Sequence, residues 1–275
     1  MTKIAIFQSR TGIDPAANAD ALVRAIEEAA AGGAQMLFTP EMSGLLDCDT
    51  ERARKNVRTA EEDAVLAACR DAARRNAIWL HIGSIAVAAG DGKFANRGFV
   101  IDSGGEIRAS YDKIHLFDVD LPTGESWRES AVYRGGTDAV VVDGTPVGKL
   151  GLTICYDLRF PALFERLSEA GAQVISVPAA FTVPTGEAHW EVLLRARAIE
   201  AGVFVVAAAQ VGRHEDGRQT YGHSLLVDPW GEILLDMGEQ VGLGFADIDL
   251  GRIAEVRGRV PAIDHRRPIG EPVAR

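Results

Sequence analysis

Only three cysteines occur in the 275 residues, Cys48, Cys69 and Cys155, an odd number without CxxC spacing. That pattern excludes a disulfide-stapled framework and a cysteine zinc site, so each thiol is a separate case and no metal or other cofactor is expected. Basic residues are also scarce: 29 Lys and Arg stand against 39 Asp and Glu, a formal net charge of -10. Such a balance gives no electrostatic reason to approach a phosphate backbone or an anionic bilayer, so neither nucleic acid nor membrane is an expected partner. Long hydrophobic runs are missing too. The longest, Val203 to Ala209, has the length of a strand and falls far short of the ~20 residues that a membrane helix needs. Met1-Thr2-Lys3 runs directly into Ile4-Ala5-Ile6-Phe7, which leaves no space for an export signal and makes a cytoplasmic location the expectation. No flexible linker or charge block divides the chain. One domain over residues 1–275 is expected, with 260–275 as a C-terminal tail.

What is present alternates between buried strands and helices. Lys3 to Phe7 reads as a strand, and Asp14-Pro15 supplies an N-cap and an N1 proline for a helix ending at Gly32-Gly33. Met36 to Thr39 is a second strand, Glu61 to Arg75 a helix and Ile78 to Ser84 a third strand. Phe99 to Asp102 and Ile107 to Tyr111 form a hairpin around Ser103-Gly104-Gly105. Ala139 to Asp143 pairs with Lys149 to Cys155, followed by a helix from Pro161 to about Ala170 and a strand from Gln173 to Val177. Ala188 to Glu200 is helical, Val203 to Ala209 a strand, and Ser224 to Val227 with Glu232 to Leu235 flank the turn Asp228-Pro229-Trp230-Gly231. This mix predicts a layered α/β fold with helices on the outer faces of its sheets. Asp120 to Gly136 lacks periodicity and is assigned to one edge of the active site.

Three polar residues stand at the ends of apolar segments. Cys155 follows Leu150-Gly151-Leu152-Thr153-Ile154 and precedes Tyr156-Asp157-Leu158-Arg159, which makes it a strand-to-turn thiol. Ligands bind at the carboxyl ends of strands in α/β sheets, and the turn that follows leaves backbone N–H groups free to hold an oxyanion. Glu41 follows Leu37-Phe38-Thr39-Pro40, and Lys113 sits in Tyr111-Asp112-Lys113-Ile114-His115-Leu116. Read alone, each has a plain structural explanation: Cys155 as a packed small hydrophobe, Glu41 as a strand-end charge reaching water, Lys113 as a partner for Asp112 or Asp118. Read together they meet a chemical need. A thiol is only a few per cent ionised at neutral pH and requires a base, and attack on an amide puts charge on oxygen that a lysine can stabilise. Departure of ammonia then requires a proton, which the newly formed glutamic acid can return.

Phe38-Thr39-Pro40-Glu41, Tyr111-Asp112-Lys113-Ile114-His115-Leu116 and Gly151-Leu152-Thr153-Ile154-Cys155-Tyr156-Asp157-Leu158-Arg159-Phe160-Pro161 resemble the three signature blocks of the nitrilase superfamily of carbon–nitrogen hydrolases. The resemblance implies a four-layer αββα sandwich, a Glu41-Lys113-Cys155 triad with no metal, and dimers or higher homo-oligomers. It implies a second glutamate as well, for which Glu129, 16 residues beyond Lys113, is chosen over Glu125. The Tyr156 backbone N–H would complete the oxyanion site. Ala188-His189-Trp190-Glu191-Val192-Leu193-Leu194-Arg195-Ala196-Arg197, Tyr221-Gly222-His223-Ser224 and Val227-Asp228-Pro229-Trp230-Gly231 look most like the branch of deaminated glutathione amidases and ω-amidases. The expected reaction is hydrolysis of a small amide through a cysteine thioester. Deaminated glutathione is the favoured substrate, and 2-oxoglutaramate, nitriles and N-carbamoyl amino acids are alternatives. Arg159 could pair with a substrate carboxylate or bridge Asp157 or Glu165, and Phe181 could line the pocket or belong to the core.

Other readings compete. A Cys-His-Asp mechanism would use His115 and Asp118, a non-catalytic relative would only bind a metabolite or scaffold an assembly, and Cys155 could sense oxidants. Cys69 reads as packing inside an Ala-rich helix, whereas Cys48, close after Glu41, could edge the pocket.

Overall fold

A computed structural model of the chain describes residues 1–120, 124 and 126–274. The first half contains β1 (Thr2–Gln8), α1 (Pro15–Ala31), β2 (Met36–Phe38), α2 (Thr50–Asn56), α3 (Ala64–Asn76), β3 (Trp79–Ala88), β4 (Phe94–Ile101) and β5 (Ile107–Asp112). A small hairpin of β6 (Asp118–Asp120) and β7 (Ser126–Arg128) and the one-turn α4 (Glu129–Val132) lead to the second half. There follow β8 (Val141–Thr145), β9 (Gly148–Leu152), a 3-10 turn at Cys155–Arg159, α5 (Pro161–Glu169), β10 (Val174–Ser176), α6 (Val183–Ala201) and β11 (Phe204–Ala207). The hairpin β12 (Val211–Arg213) and β13 (Gln219–Tyr221), then β14 (Leu225–Val227), β15 (Ile233–Asp236), β16 (Gly242–Ile248) and α7 (Gly251–Arg259) complete the order.

Two six-stranded sheets result, ordered β16-β1-β2-β3-β4-β5 and β8-β9-β10-β11-β14-β15. Both run antiparallel, parallel, parallel, antiparallel, antiparallel across the sheet, so one topology is used twice. Side-chain alternation along β1 explains how they stack. Ala5 and Phe7 join Leu22, Ile26, Leu66 and Cys69 of α1 and α3 on one face, while Ile4 and Ile6 face the second sheet with Leu150, Leu152 and Val174. β2 repeats the pattern, with Leu37 toward the helices and Met36 and Phe38 toward the other sheet. On the far side Leu163, Phe164, Trp190 and Leu194 of α5 and α6 cover the second sheet. The expected four-layer αββα sandwich is therefore the one formed. Each fully buried Leu, Ile or Phe contributes roughly 1.5 to 3 kcal/mol, so the two central faces carry much of the stability.

Local chemistry sets the ends of the elements. Asp14 accepts a hydrogen bond from Ala16 N ahead of Pro15, and Asp63 caps α3 through Leu66 N, so that helix starts at Ala64, three residues beyond the start expected at Glu61. β9 ends at Leu152, so Cys155 lies three residues past the strand, in the 3-10 turn, and does not close the strand as the apolar run suggested. α6 begins at Val183, because Pro184 occupies an N-terminal position and Gly186 packs against Tyr221; helical character is apparent in the sequence only from Ala188. The segment 120–136 is not irregular throughout, since β7 and α4 lie within it. Beyond α7 the terminal segment is not simply extended: Arg266 returns to Glu165 and Glu169 of α5. No helix among the described residues is long and apolar enough to cross a membrane.

β3 carries a buried titratable group. The His81 ring lies 5.8 Å from that of Phe38, its Nδ1 has no partner among the described residues, and burial pushes its pKa down to about 3. Unfolding exposes an imidazole that titrates near 6.5, so between about pH 6.5 and 3 the unfolded chain binds a proton that the folded chain does not. The stability associated with neutral His81 is therefore complete above pH 6.5 and declines by up to about 1.4 kcal/mol per pH unit on acidification. Urea unfolding of His81→Leu between pH 7 and 4 is expected to show a shallower loss of stability than the parent; identical slopes would place the acid sensitivity on another group.

Candidate active site

The two sheets meet along the carboxyl ends of their parallel strands, and the polar residues gather there. Glu41 lies in the turn after β2, which is pinned to β3 at several points. Met42 N donates to Ser84 Oγ at 2.9 Å, Ser43 N to Ser84 O at 2.8 Å, and Gly83 N to Thr39 Oγ1 at 3.1 Å. Gly83 is required at this crossing. A Cβ there would fall 2.1 Å from Thr39 O and 2.4 Å from Pro178 Cβ, so any side chain would push the Glu41 turn and the second sheet apart.

The Glu41 carboxylate is buried and accepts three hydrogen bonds: from Lys113 Nζ and Asn96 Nδ2 on Oε1, each at 2.9 Å, and from Ala180 N on Oε2, also at 2.9 Å. Lys113, just past β5 and 2% exposed, reaches Glu129 as well, at 3.1 Å from Oε1 and 2.9 Å from Oε2. Burial opposes the charge on Lys113, but the carboxylates of Glu129 and Glu41 outweigh it and hold the ammonium well above its ordinary range. Glu129 is fixed in turn by Phe117 N at 2.7 Å and Asn96 Nδ2 at 3.2 Å. Asn96 thus bridges both glutamates. Only its inward register on β4 hinted at this, and no motif of the sequence marks it.

Cys155 stands on the opposite wall with φ of 50°, the left-handed region that a non-glycine residue occupies at a cost of about 1 to 3 kcal/mol. Its N–H donates to Pro178 O at 2.9 Å, and Asp157 clamps the turn by accepting from Ile154 N at 2.8 Å. The same buried carboxylate accepts from Tyr111 OH at 2.7 Å and His115 N at 3.0 Å, so it ties the Lys113 loop to the Cys155 turn. The Tyr156 N–H opens the 3-10 turn and has no acceptor among the described residues. Burial first, and then the neighbouring Glu41 carboxylate, push the Cys155 thiol well above its usual range. The Glu41 carboxyl group beside the sulfur is placed to take its proton.

A cavity of about 540 Å³ joins these groups, lined among others by Glu41, Lys113, Glu129, Cys155, Tyr156 and Phe181. Cys48 lines it too, whereas Cys69 is buried elsewhere with its pKa pushed up to about 12 by burial. Glu125, the rival second glutamate, lies outside the described residues. Arg159 does not form the structural bridge that the sequence allowed. It is not part of the lining and meets neither Asp157 nor Glu165; its guanidinium carbon lies 5.7 Å over the Phe181 ring and Nη2 is 3.3 Å from His189 Nδ1. Those two side chains, on the cavity wall and on α6, are its neighbours. His115 is likewise off the lining, stacked at 3.6 Å on Phe160 and 2.7 Å from Asp157, so it offers Cys155 no base.

Asp47, Cys48 and Asp216 bring three potential metal-ligand atoms within 4.8 Å of one another at the cavity rim. Both carboxylates already have cations. Asp47 pairs with Arg52 at 2.7 Å and Asp216 with Arg218 at 2.7 Å, so a metal ion would have to displace two guanidinium groups.

Comparison with known proteins agrees with this geometry. Residues 3–258 match the carbon-nitrogen hydrolase family. A deaminated glutathione amidase from Yersinia enterocolitica is 42% identical over 246 residues, covering 88% of this chain and 85% of that protein. The crystal structure of the Caenorhabditis elegans nitrilase and fragile histidine triad fusion protein, NitFhit, matches with a TM-score of 0.88 at 40% identity over 97% of this chain, which spans 65% of that longer protein. An amidase variant from Nesterenkonia sp. AN1, bearing acrylamide at its active site cysteine, matches with a TM-score of 0.79 at 28% identity, over 95% of this chain and 98% of that one. In sequence and in fold, the chain belongs to the carbon-nitrogen hydrolase family, the nitrilase superfamily, and is a hydrolase of carbon–nitrogen bonds.

Proposed function

We propose that the chain is an amidase in which Cys155 is the nucleophile and Glu41 its base, with deaminated glutathione as the substrate. The observation that carries the mechanism is the Cys155 thiol sharing one cavity with the Glu41 carboxyl group, whose oxygens are fixed by Lys113, Asn96 and Ala180 N. With the amide carbonyl at the sulfur, the Cys155 proton passes to Glu41 as the S–C bond forms. Lys113 and the Tyr156 N–H stabilise the tetrahedral oxyanion, each such donor being worth roughly 3 to 4 kcal/mol. Glu41 returns the proton to the leaving nitrogen, the C–N bond breaks, and a thioester remains. Water that has lost its proton to Glu41, oriented by Glu129, then attacks the thioester and frees the carboxylate and the thiol.

The substrate reading is supported by the relatives and by the size of the cavity. About 540 Å³ is room for a tripeptide-sized acid and more than a five-carbon amide such as 2-oxoglutaramate requires. The leaving amine differs between the two: ammonia departs from a primary ω-amide, whereas the γ-amide of deaminated glutathione releases cysteinylglycine. A homodimer is part of the same proposal, because α6 leaves Val192 and Ile199 exposed on one face beside the exposed Trp230. An apolar helix face open to water is the usual sign of an association surface.

Glu41→Gln and Cys155→Ala should each lower kcat by at least about a thousandfold with melting temperature within a few degrees of the parent, as measured by product formation and calorimetry. Retention of a tenth of parental activity in either would remove that residue from the mechanism. A panel of deaminated glutathione, 2-oxoglutaramate, an aliphatic nitrile and an N-carbamoyl amino acid, followed by mass spectrometry, is expected to rank deaminated glutathione first by at least about tenfold in kcat/KM, or 1.4 kcal/mol. Preference for 2-oxoglutaramate would reassign the substrate and keep the chemistry. Sedimentation should give a dimer that Ile199→Glu converts to monomer; a monomeric parent would end that part of the proposal.

A further inference from the structure

One side chain of the site carries no charge, yet its residue touches all three groups that do. Asn96 lies on β4, 2% exposed, and its single amide nitrogen donates to Glu41 Oε1 at 2.9 Å and to Glu129 Oε1 at 3.2 Å. Lys113 Nζ donates to the same two oxygens, at 2.9 Å and 3.1 Å. Nitrogen and oxygen therefore alternate round a closed ring, with the two carboxyl groups at opposite corners and a donor between them on each side. The backbone adds a further tie, the Asn96 carbonyl accepting from Lys113 N at 3.0 Å.

Packing alone does not account for this arrangement. Asn96 Oδ1 is buried and has no partner among the described residues. An apolar side chain of the same shape would avoid that unpaired acceptor, so the amide persists because both of its hydrogens go to acidic oxygens. It cannot be turned round, since its oxygen would then face two other acceptors. Two carboxyl groups in one site otherwise share a proton, and a hydrogen bond donated to the ionised form opposes proton uptake. The ring places such donors at the oxygen that each glutamate presents to the other. It also makes the two oxygens of Glu41 unequal. Oε1 accepts from Lys113 and Asn96, while Oε2 accepts from Ala180 N, an N–H that also faces the Cys155 sulfur.

We propose that Asn96 is a positioning residue for the first proton transfer: by dividing its amide between Glu41 and Glu129 it prevents the pair from sharing a proton and leaves Glu41 Oε2 to receive the proton of Cys155. The inference rests on the reading of Glu41 as the base and deepens it by naming the group that keeps that base free. From the other elements around the pair, the titratable or charged groups are Lys113 past β5, Cys155 on the 3-10 turn, Tyr133 after α4 and Arg218 between β12 and β13. Lys113 remains when Asn96 is changed, so the ring opens on one side only. The pair then takes up a proton at higher pH, because its ionised form has lost a donor.

The test is the pH dependence of Cys155 alkylation by iodoacetamide, read by peptide mass spectrometry so that Cys48 and Cys69 are counted apart. The S–C bond forms as iodide leaves and Glu41 takes the thiol proton, so the rate falls on the acid side, where the pair is protonated. Asn96→Ala is expected to move the midpoint of that acid limb up by at least about one pH unit, a tenfold change in proton uptake, and Asn96→Ser, which keeps one donor, by less. A rate lowered by the same factor at every pH, with the midpoint in place, is what a purely structural role gives and would overturn the inference. Should Asn96→Ala fail to fold, Asn96→Ser decides alone, a midpoint within about 0.3 pH unit of the parent, or twofold, counting against the proposal. Glu41→Gln separates the two readings. If it leaves the limb as in the parent, Glu41 is not the base and both readings fall; if it removes the limb while the Asn96 variants keep the parental midpoint, only this inference falls.

Discussion

A buried ammonium between two carboxylates is the constraint on which the rest of the site depends. Lys113 is 2% exposed, and taking its charge out of water would be prohibitive without Glu41 and Glu129 at 2.9 Å. The ammonium is the common partner: without Lys113 the two carboxylates would be left as uncompensated buried charge. The three residues therefore fix one another, although Glu41 and Lys113 are 72 positions apart in the chain. Asn96 adds a neutral donor to both carboxylates, which restrains their oxygens without changing the sum of charges.

That constraint is met only where two sheets of the same topology bring their strand ends together. Glu41 leaves the first sheet and accepts from Ala180 N, which follows β10 of the second, so the carboxylate belongs to both halves. Gly83 allows the approach because it has no Cβ to strike Thr39 O or Pro178. Asp157 provides a second tie, between Tyr111 and His115 on one side and the Cys155 turn on the other. The left-handed backbone at Cys155 persists because these contacts over-determine it, and it carries the sulfur toward Glu41 instead of into the core.

Electrostatics divides the cavity into two regions. Around the sulfur, one ammonium stands between two carboxylates, and burial together with the Glu41 charge holds the thiol above its usual range. At the wall formed by Trp127 and Arg218, compensation is partial, because Asp216 occupies one edge of the guanidinium and the other faces the cavity.

The sequence by itself determined the layers and the identities of the polar residues. Alternation at Ile4-Ala5-Ile6-Phe7, the cap at Asp14-Pro15 and the apolar run before Cys155 are local signals, since they depend on periodicity and steric preference within a few residues. Short polar insertions at the ends of such runs also made Glu41, Lys113 and Cys155 visible. Tertiary structure alone decided which groups share a cavity. Nothing local tells Asn96 from any other strand asparagine, makes Gly83 a point of contact between sheets, or turns Arg159 to His189 and Arg218 to the open space. Those outcomes follow from the direction in which a side chain leaves a packed backbone, and that direction is fixed by contacts between segments far apart in sequence.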